Sequence, residues 1–339
     1  MAVRKTVTLQ TIADEVGVTL QTVSKALLGK PGMSERTRHA IVEAARRLGY
    51  RSKRQIDSLL VEHILPFPTE RRRFVLLHSG ASDNYKALLL QGLYERFSEF
   101  GHRIEAVALP SCRSDRAMFE WIDAAGLAYA DGLFLAPALT PARWEEALLA
   151  LPAPRILLGY PPPGAKVDSV VWDVYEAMWQ SVALLAREGH RNVLYVGDIE
   201  TRPGFVLRWQ AFVHAAARFG MDPAKGRHIV ERGVSDWRAA LRERLVAEPV
   251  TAVICGLDEE TDAAYRVCRE AGRRVPDDLA MVGFLNEPPK DAVPYRYPRL
   301  PIRMTGYRAA DRMLWRIANP SLPFEHIRLQ SDFFSSNGE

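Results

Sequence analysis

Residues 8 to 50, TLQTIADEVGVTLQTVSKALLGKPGMSERTRHAIVEAARRLGY, constrain the fold more tightly than any other stretch of this 339-residue chain. Leu9, Ile12, Ala13 and Val16 recur at helical spacing behind Thr8, a residue type that caps helix N-termini, and Gly17 then permits a sharp turn. Thr19 caps a second helix, in which Val23, Ala26 and Leu27 form the buried stripe. Leu20, Gln21, Ser24 and Lys25 are thereby left on the opposite face. Ser34 caps a third helix with Ile41, Ala44, Ala45 and Leu48 facing inward, and Gly49 ends it. Two short helices across a tight turn, braced by a third, make a helix-turn-helix. The residue types on its open face suit a base edge. Gln21 can pair with the N6 and N7 of adenine, Leu20 can touch a thymine methyl, and Lys25 can reach guanine or a phosphate.

A small three-helix bundle with a merely solvated polar face fits the same periodicity, and charge decides between the two readings. Residues 1–54 hold eleven Lys and Arg against four acids, a net of +7, whereas the whole chain is +4. The remaining residues therefore sum to −3. One basic segment on a slightly acidic body is the distribution that phosphate neutralisation requires.

The run T-L-Q-T-I-A-D-E-V-G-V-T-L-Q-T-V-S-K-A-L, followed by S-E-R-T-R and L-G-Y, resembles the headpiece of the LacI/GalR family of bacterial transcription regulators. In that family the start of the second helix and a residue one turn later read base edges, which by position implies Leu20, Gln21 and Lys25. The DNA-contacting set expected here adds Thr8, Thr22 and Ser24, with Arg54, Ile56 and Leu59 from the next segment. Residues 54–73 correspond to the family's hinge helix, here a short helix at 54–61, and its linker; in the family this helix folds when two copies meet over the minor groove and a leucine wedges into the central base step. Leu59 matches that leucine, its bland alternative being packing against the body. This chain departs from the pattern, carrying Ser52 and Lys53 where Pro-Asn is usual, Ile56 where a small residue is usual, and an acidic Asp57. Pro66 and Pro68 stiffen the exit, and Arg71 to Arg73 form a charged boundary.

Beyond the boundary, short apolar runs alternate with helical stretches. Strands are expected at 74–78, 104–109, 132–136, 155–158, 193–196, 229–231, 252–255 and 280–284. Helices are expected at 88–100, 143–149, 175–188, 208–219, 236–247 and 259–271. Alternation of this kind means βαβ units and parallel sheets, with a ligand bound outside the carboxyl ends of the strands. The resemblance sharpens the expectation to a two-lobed body like the type I periplasmic sugar-binding proteins. The division is then a headpiece at 1–53, a hinge at 54–73 and an effector-binding, dimerising body at 74–339. Its first lobe spans about 74–172 plus 300–318, and its second about 173–299 plus the tail.

Within that body, Arg208-Trp209-Gln210-Ala211-Phe212 fits the family's Arg-x-x-Gly-Phe, with Ala211 for the glycine. A lone helical arginine would be read as a surface residue. Inside this motif, Arg208 is expected to grip ligand hydroxyls or a carboxylate, as a guanidinium fork does well. Asp173 and Asp258 follow apolar runs and join it. Where the family has Asn-Asp this chain has Leu257-Asp258, and Val282-Gly283-Phe284-Leu285-Asn286 replaces Val-Gly-Tyr/Phe-Asp-Asp. Leu285 therefore lines the cleft in place of a carboxylate. Ser79 and Glu176 are cleft candidates or plain turn and cap residues, and Trp237 stacks on a sugar face or packs in the core.

The remaining features exclude function classes. G-x-S-x-G, GxxxxGK[ST], HExxH and a strand-following GxGxxG are all missing, so no enzyme, cofactor or metal centre is expected. Cys112, Cys255 and Cys268 lie in no metal-binding spacing, which fits buried thiols in a reducing compartment. No apolar stretch approaches a membrane span, and the N-terminus lacks a signal peptide's apolar run. The expectation is a cytoplasmic, nucleoid-associated homodimer acting as a repressor on a pseudopalindromic double-stranded operator, controlled allosterically by a sugar or sugar derivative. The tail lacks the leucine heptads of a coiled-coil tetramer. The alternative is a sugar-binding protein or enzyme on a periplasmic-binding-protein-like fold, without operator function.

Overall fold

The structure, a computed structural model, describes residues 7–28, 30, 32–50, 71–80, 83–111, 114–137, 139, 143–230, 236–256, 260–287, 289 and 292–334. These fall into two compact units, one within Met1–Ile64 and Ala318–Leu322 and the other within Leu65–Ile317 and Pro323–Glu339. The expected hinge residues Arg54, Ile56 and Leu59, and Leu257 and Asp258 of the body, lie outside the described residues.

The first unit holds α1 (Leu9–Val16), α2 (Leu20–Leu27) and α3 (Glu35–Leu48). Thr8, Thr19 and Ser34 are the N-caps, each accepting the backbone N–H three residues on, and Gly17 and Gly49 end their helices with φ of 69° and 70°. A cap of this kind is worth about 1 kcal/mol, and three of them matter in so small a unit. Ile12, Val23 and Ile41 are fully buried, and the small side chains of Ala13, Ala26, Ala44 and Ala45 let the helices close around them. The Arg38 guanidinium donates to the carbonyls of Ala26 (3.1 Å) and Lys30 (2.7 Å), satisfying groups that the end of α2 leaves open. Arg47 pairs with Glu15, tying α3 to α1.

The second unit begins with β1 (Arg73–His78), α4 (Asp83–Glu99), β2 (Arg103–Ala108), α5 (Asp115–Ala124), β3 (Gly132–Leu135), α6 (Arg143–Leu149), β4 (Arg155–Leu157) and β5 (Asp168–Trp172). It continues through α7 (Val174–Arg187), β6 (Val193–Val196), α8 (Pro203–Arg218), α9 (Trp237–Ala247), β7 (Ala252–Cys255), α10 (Thr261–Glu270) and β8 (Ala280–Gly283). Then come β9 (Tyr297–Arg299), α11 (Ile302–Ala318), β10 (His326–Leu329) and β11 (Asp332–Phe334). One sheet has six strands in the order β10-β5-β4-β3-β1-β2, a second has three in the order β6-β7-β8, and β9 pairs with β11. The two larger sheets are parallel throughout. The chain leaves the first sheet after Trp172, returns to it at β10 by way of α11, and leaves again at β11.

Fully buried strands such as Leu133–Leu135 and Ala252–Cys255 carry the near-continuous apolar runs that helices on both faces demand. Of the expected strand at 229–231, Glu231 lies outside the described residues, and among those described Ile229 makes a single bridge to Val196 in place of a strand. Helix α8 starts at Pro203, five residues before the expected start, with a proline at the position where its missing N–H costs nothing. Helix α4 likewise starts ahead of expectation, at Asp83.

Two features fix α11 against the first sheet. Gly92 and Gly306 let α4 and α11 touch backbone to backbone, since a Cβ at 92 would sit 1.9 Å from the Arg303 carbonyl and one at 306 would sit 2.1 Å from that of Leu89. The second is a buried ion cluster. The Oδ1 of Asp168, itself fully buried, accepts from Nη2 (2.6 Å) and Nε (3.0 Å) of Arg312 and from the Glu325 N–H (2.8 Å), while Arg316 holds the other oxygen. Arg312 also donates to Glu325 at 2.8 Å, and its guanidinium lies 3.7 Å from the Trp315 ring centroid. Every charge in the cluster has an opposite partner, the condition for burying ions at all.

Candidate nucleic-acid interface and ligand cleft

On α2 the buried stripe and the open face separate as the spacing requires. Val23 and Ala26 are buried, whereas Leu20 is 45% exposed and Gln21 and Lys25 are exposed beside it. Among the described residues no hydrogen bond or ion pair engages the Gln21 or Lys25 side chain. Both keep their full complement of donors and acceptors for a partner. Leu28, at the end of the same helix, is 62% exposed, an apolar contact point that the spacing did not single out. The other expected contacts carry structural duties. The Thr8 hydroxyl forms a reciprocal capping box with Thr11, Thr22 is half-buried with its hydroxyl 2.8 Å from that of Thr19, and Ser24 is half-buried. Their remaining hydrogen-bonding capacity suits phosphate positioning better than base reading.

In the body, the ends of several parallel strands converge around Arg208. This side chain is 1% exposed, so the surface reading of a helical arginine fails here. Its Nη1 donates to the carbonyl of Gly256, just past β7. Three rings surround the guanidinium, with centroids at 4.6 Å for Phe284 after β8, 5.2 Å for Phe205 on α8 and 5.9 Å for Trp172 at the end of β5. An arginine so placed is held by ring faces and a carbonyl, the environment in which cation–π attraction is strongest because water is excluded. Tyr160, two residues past the buried Leu158, completes the group. Its hydroxyl accepts from the Val174 N–H (3.2 Å) and points its own proton at the Trp172 carbonyl (3.4 Å). Burial pushes the Tyr160 pKa up, partly offset by the Val174 hydrogen bond, and the phenol stays protonated.

The other expected cleft residues divide. Asp173 caps α7, its carboxylate accepting the Glu176 N–H at 3.1 Å, and Glu176 in turn accepts from Gln180 at 2.9 Å. Asp173, expected as a cleft residue, is thus the helix cap, and Glu176, for which a cap was one of two readings, stands in the first turn of α7 instead. Ser79 stands half-buried just past β1, and Leu285 is half-buried against the hydrophobic cluster of the second sheet. Trp237 opens α9 and packs partly into that same cluster with the Arg238 guanidinium 4.9 Å from its ring centroid, the core alternative of its two readings. Tyr160, Phe205 and Trp172 went unassigned because none sits in a motif, and Phe284, although inside the motif at 282–286, was passed over for the departure at Leu285. Position was the available signal, since Tyr160, Trp172 and Phe284 all stand at or just past the carboxyl end of a strand, where open α/β sheets bind ligands.

Elsewhere, a hollow lined by Asn192, Asp222 and His228 lies at the opposite end of the second sheet, and another lies on the outer side of α7 around Trp179. Neither adjoins Arg208. Among the described residues no group of three His, Cys, Asp or Glu side chains is placed to hold a metal, and no helix is long and apolar enough to cross a membrane.

Comparison with known proteins places these geometries. Residues 8–53 match the family described as bacterial regulatory proteins, lacI family, and residues 182–332 match a periplasmic binding protein-like domain. The HTH-type transcriptional regulator AglR of Rhizobium meliloti (strain 1021) is 27% identical, covering 92% of this chain and 88% of its own. The HTH-type transcriptional regulator GntR of Escherichia coli (strain K12) is 26% identical over 94% of both. Among solved structures, the transcriptional regulator CelR–cellobiose complex aligns with a TM-score of 0.64 at 24% identity, over 97% of this chain and 98% of that one. The lac repressor dimer bound to operator and the anti-inducer ONPF aligns with a TM-score of 0.63 at 18% identity, over 98% of both chains.

Proposed function

We infer, from a chain that belongs to the lacI family of bacterial regulatory proteins, that its headpiece and its body are the output and input of one ligand-controlled DNA switch. The protein is a sequence-specific DNA-binding transcriptional regulator. Its headpiece, residues 1–53, places Leu20, Gln21 and Lys25 in the major groove, with Thr8, Thr22 and Ser24 toward phosphates. The observation that carries this reading is the open face of α2, where Gln21 and Lys25 have no partner of their own among the described residues. Arg54, Ile56 and Leu59, in the hinge at 54–73, act in the minor groove.

The body, residues 74–339, takes a sugar or sugar derivative at the strand ends, and Arg208, Asp258 and Leu285 are its ligand-facing residues. That class is supported by cellobiose in one similar structure and by the aromatic surroundings of Arg208, since ring faces commonly stack on sugars. We assign a homodimer, because a two-fold protein reads a two-fold site, and a cytoplasmic repressor rather than an enzyme. Ligand binding and DNA binding are then linked reciprocally.

Mobility-shift assays with random genomic fragments test the reading. A regulator selects a few fragments and loses them steeply as salt rises. Uniform weak binding to every fragment would refute the operator function and leave only the body's ligand binding.

A further inference from the structure

Resting on the reading of the strand ends as a ligand cleft, the surroundings of Tyr160 narrow the ligand's chemistry. Strand β10 is an edge of the six-stranded sheet, in parallel register with β5 so that Arg328 lies beside Val171 and Leu329 beside Trp172. Arg328 is exposed, and its guanidinium stands 5.6 Å from the Tyr160 ring centroid. Among the described residues it makes no ion pair or hydrogen bond through its side chain. The nearby carboxylates do not pair with it directly, since Asp173 accepts the Glu176 N–H and Glu176 accepts from Gln180. Arg208 approaches the same pair of rings from α8, 5.9 Å from Trp172, and both arginines act electrostatically on the Tyr160 phenol. Two guanidinium groups on different elements thus converge on a Tyr160–Trp172 platform against a single carboxylate, Asp173, which acts on the same phenol and leaves the charge there positive on balance.

We propose that Arg328 is an anion-recognition residue of this cleft, and that the effector carries an oxyanion, a carboxylate or a phosphate, on a sugar-sized scaffold. The ring of Tyr160 orients the guanidinium from one side, leaving its fork of N–H donors to face a ligand. A fork in fixed orientation binds a two-oxygen edge, which a neutral hydroxyl does not offer. An exposed arginine is poorly suited to a neutral sugar, since water serves it equally well.

Isothermal titration of the full chain with gluconate, glucose 6-phosphate and glucose tests this, using wild type, Arg328→Gln and Arg328→Lys. One of the two anions should bind at least tenfold more tightly than glucose. Arg328→Gln should weaken it by tenfold or more, Arg328→Lys by less, and added salt should narrow the gap between wild type and Arg328→Gln. Preference for gluconate or for the phosphate identifies which oxyanion is read. Glucose binding as tightly as either anion, or anion binding unchanged in Arg328→Gln, would overturn the proposal while leaving the cleft in place. Absence of binding by all three at millimolar concentration would overturn both.

Discussion

The open face of α2 and the strand ends around Arg208 are both candidate binding surfaces, yet they are built on opposite principles. On α2 the base-reading candidates Leu20, Gln21 and Lys25 are exposed and unengaged among the described residues, and the structure beneath them is three short helices around seven buried residues. Around Arg208 the candidates are buried or half-buried and already committed, Arg208 to Gly256, Asp173 to the Glu176 N–H and Tyr160 to Trp172 and Val174. A surface meant for a large, charged partner keeps its donors in water until that partner displaces it. A cleft meant for a small molecule is shaped first by its own internal bonds, and what it offers a ligand is ring faces and the few groups left over. Mutations in the two regions should therefore fail differently.

The largest effect is expected where burial and charge coincide. Asp168→Ala strands Arg312 and Arg316 without their shared partner, and should cost the body about 3–5 kcal/mol, read as a fall in the urea midpoint. A loss below about 1 kcal/mol would mean that water already solvates the cluster. Next, Arg208→Ala should cost about 1–3 kcal/mol, because the buried Gly256 carbonyl loses its donor. A surface arginine would cost less than about 0.5 kcal/mol, so a silent mutant would erase the contrast between the regions. In the headpiece, Ser34→Ala should cost about 1 kcal/mol, visible as faster hydrogen exchange in α3 with the body unchanged.

The smallest effect is a matter of pH. His228 is buried with its Nδ1 accepting from the Tyr195 N–H and its Nε2 donating to the Asp222 carbonyl, and burial lowers its pKa despite the Asp222 contact. The unfolded chain, with a histidine pKa near about 6.5, then binds the proton first. Stability should be full above that value, decline as pH falls below it, and level off past the lowered folded pKa. His102, lowered chiefly by burial as well, adds the same sign. Thermal midpoints measured from pH 7.5 to 5 should show a shallower decline in His228→Gln. An identical slope in both proteins would show that His228 takes up its proton without cost.

What was legible in the sequence follows the range of the forces involved. The headpiece was readable to the cap residue because Thr8, Thr19, Ser34, Gly17 and Gly49 act on groups within a turn of themselves. Although α5 and β5 were not among the expected elements, the alternation of strands and helices in the body was plain in most of its apolar runs. Helix α11 was not, and its missing signal has a physical cause. Arg312 and Arg316 fall on its buried face and read as solvent positions until Asp168, 144 and 148 residues away, is brought beside them. Strand β10 was missed for the converse reason, since an edge strand of half-buried and exposed residues shows no apolar run. At the cleft, the motif around Arg208 marked the arginine but not its ring cage, because Phe205, Trp172 and Phe284 come from separate elements. Long-range pairing leaves no local trace.

The central claim, that the open face of α2 reads DNA sequence, is tested most directly by selecting binding sites from a random double-stranded library with wild type and Gln21→Ala in parallel. Wild type should enrich a pseudopalindrome. Gln21→Ala should lose about 1–3 kcal/mol and relax the preference at one position in each half-site, with the salt dependence nearly unchanged. Equal weakening on every sequence, with no position relaxed, would contradict the account.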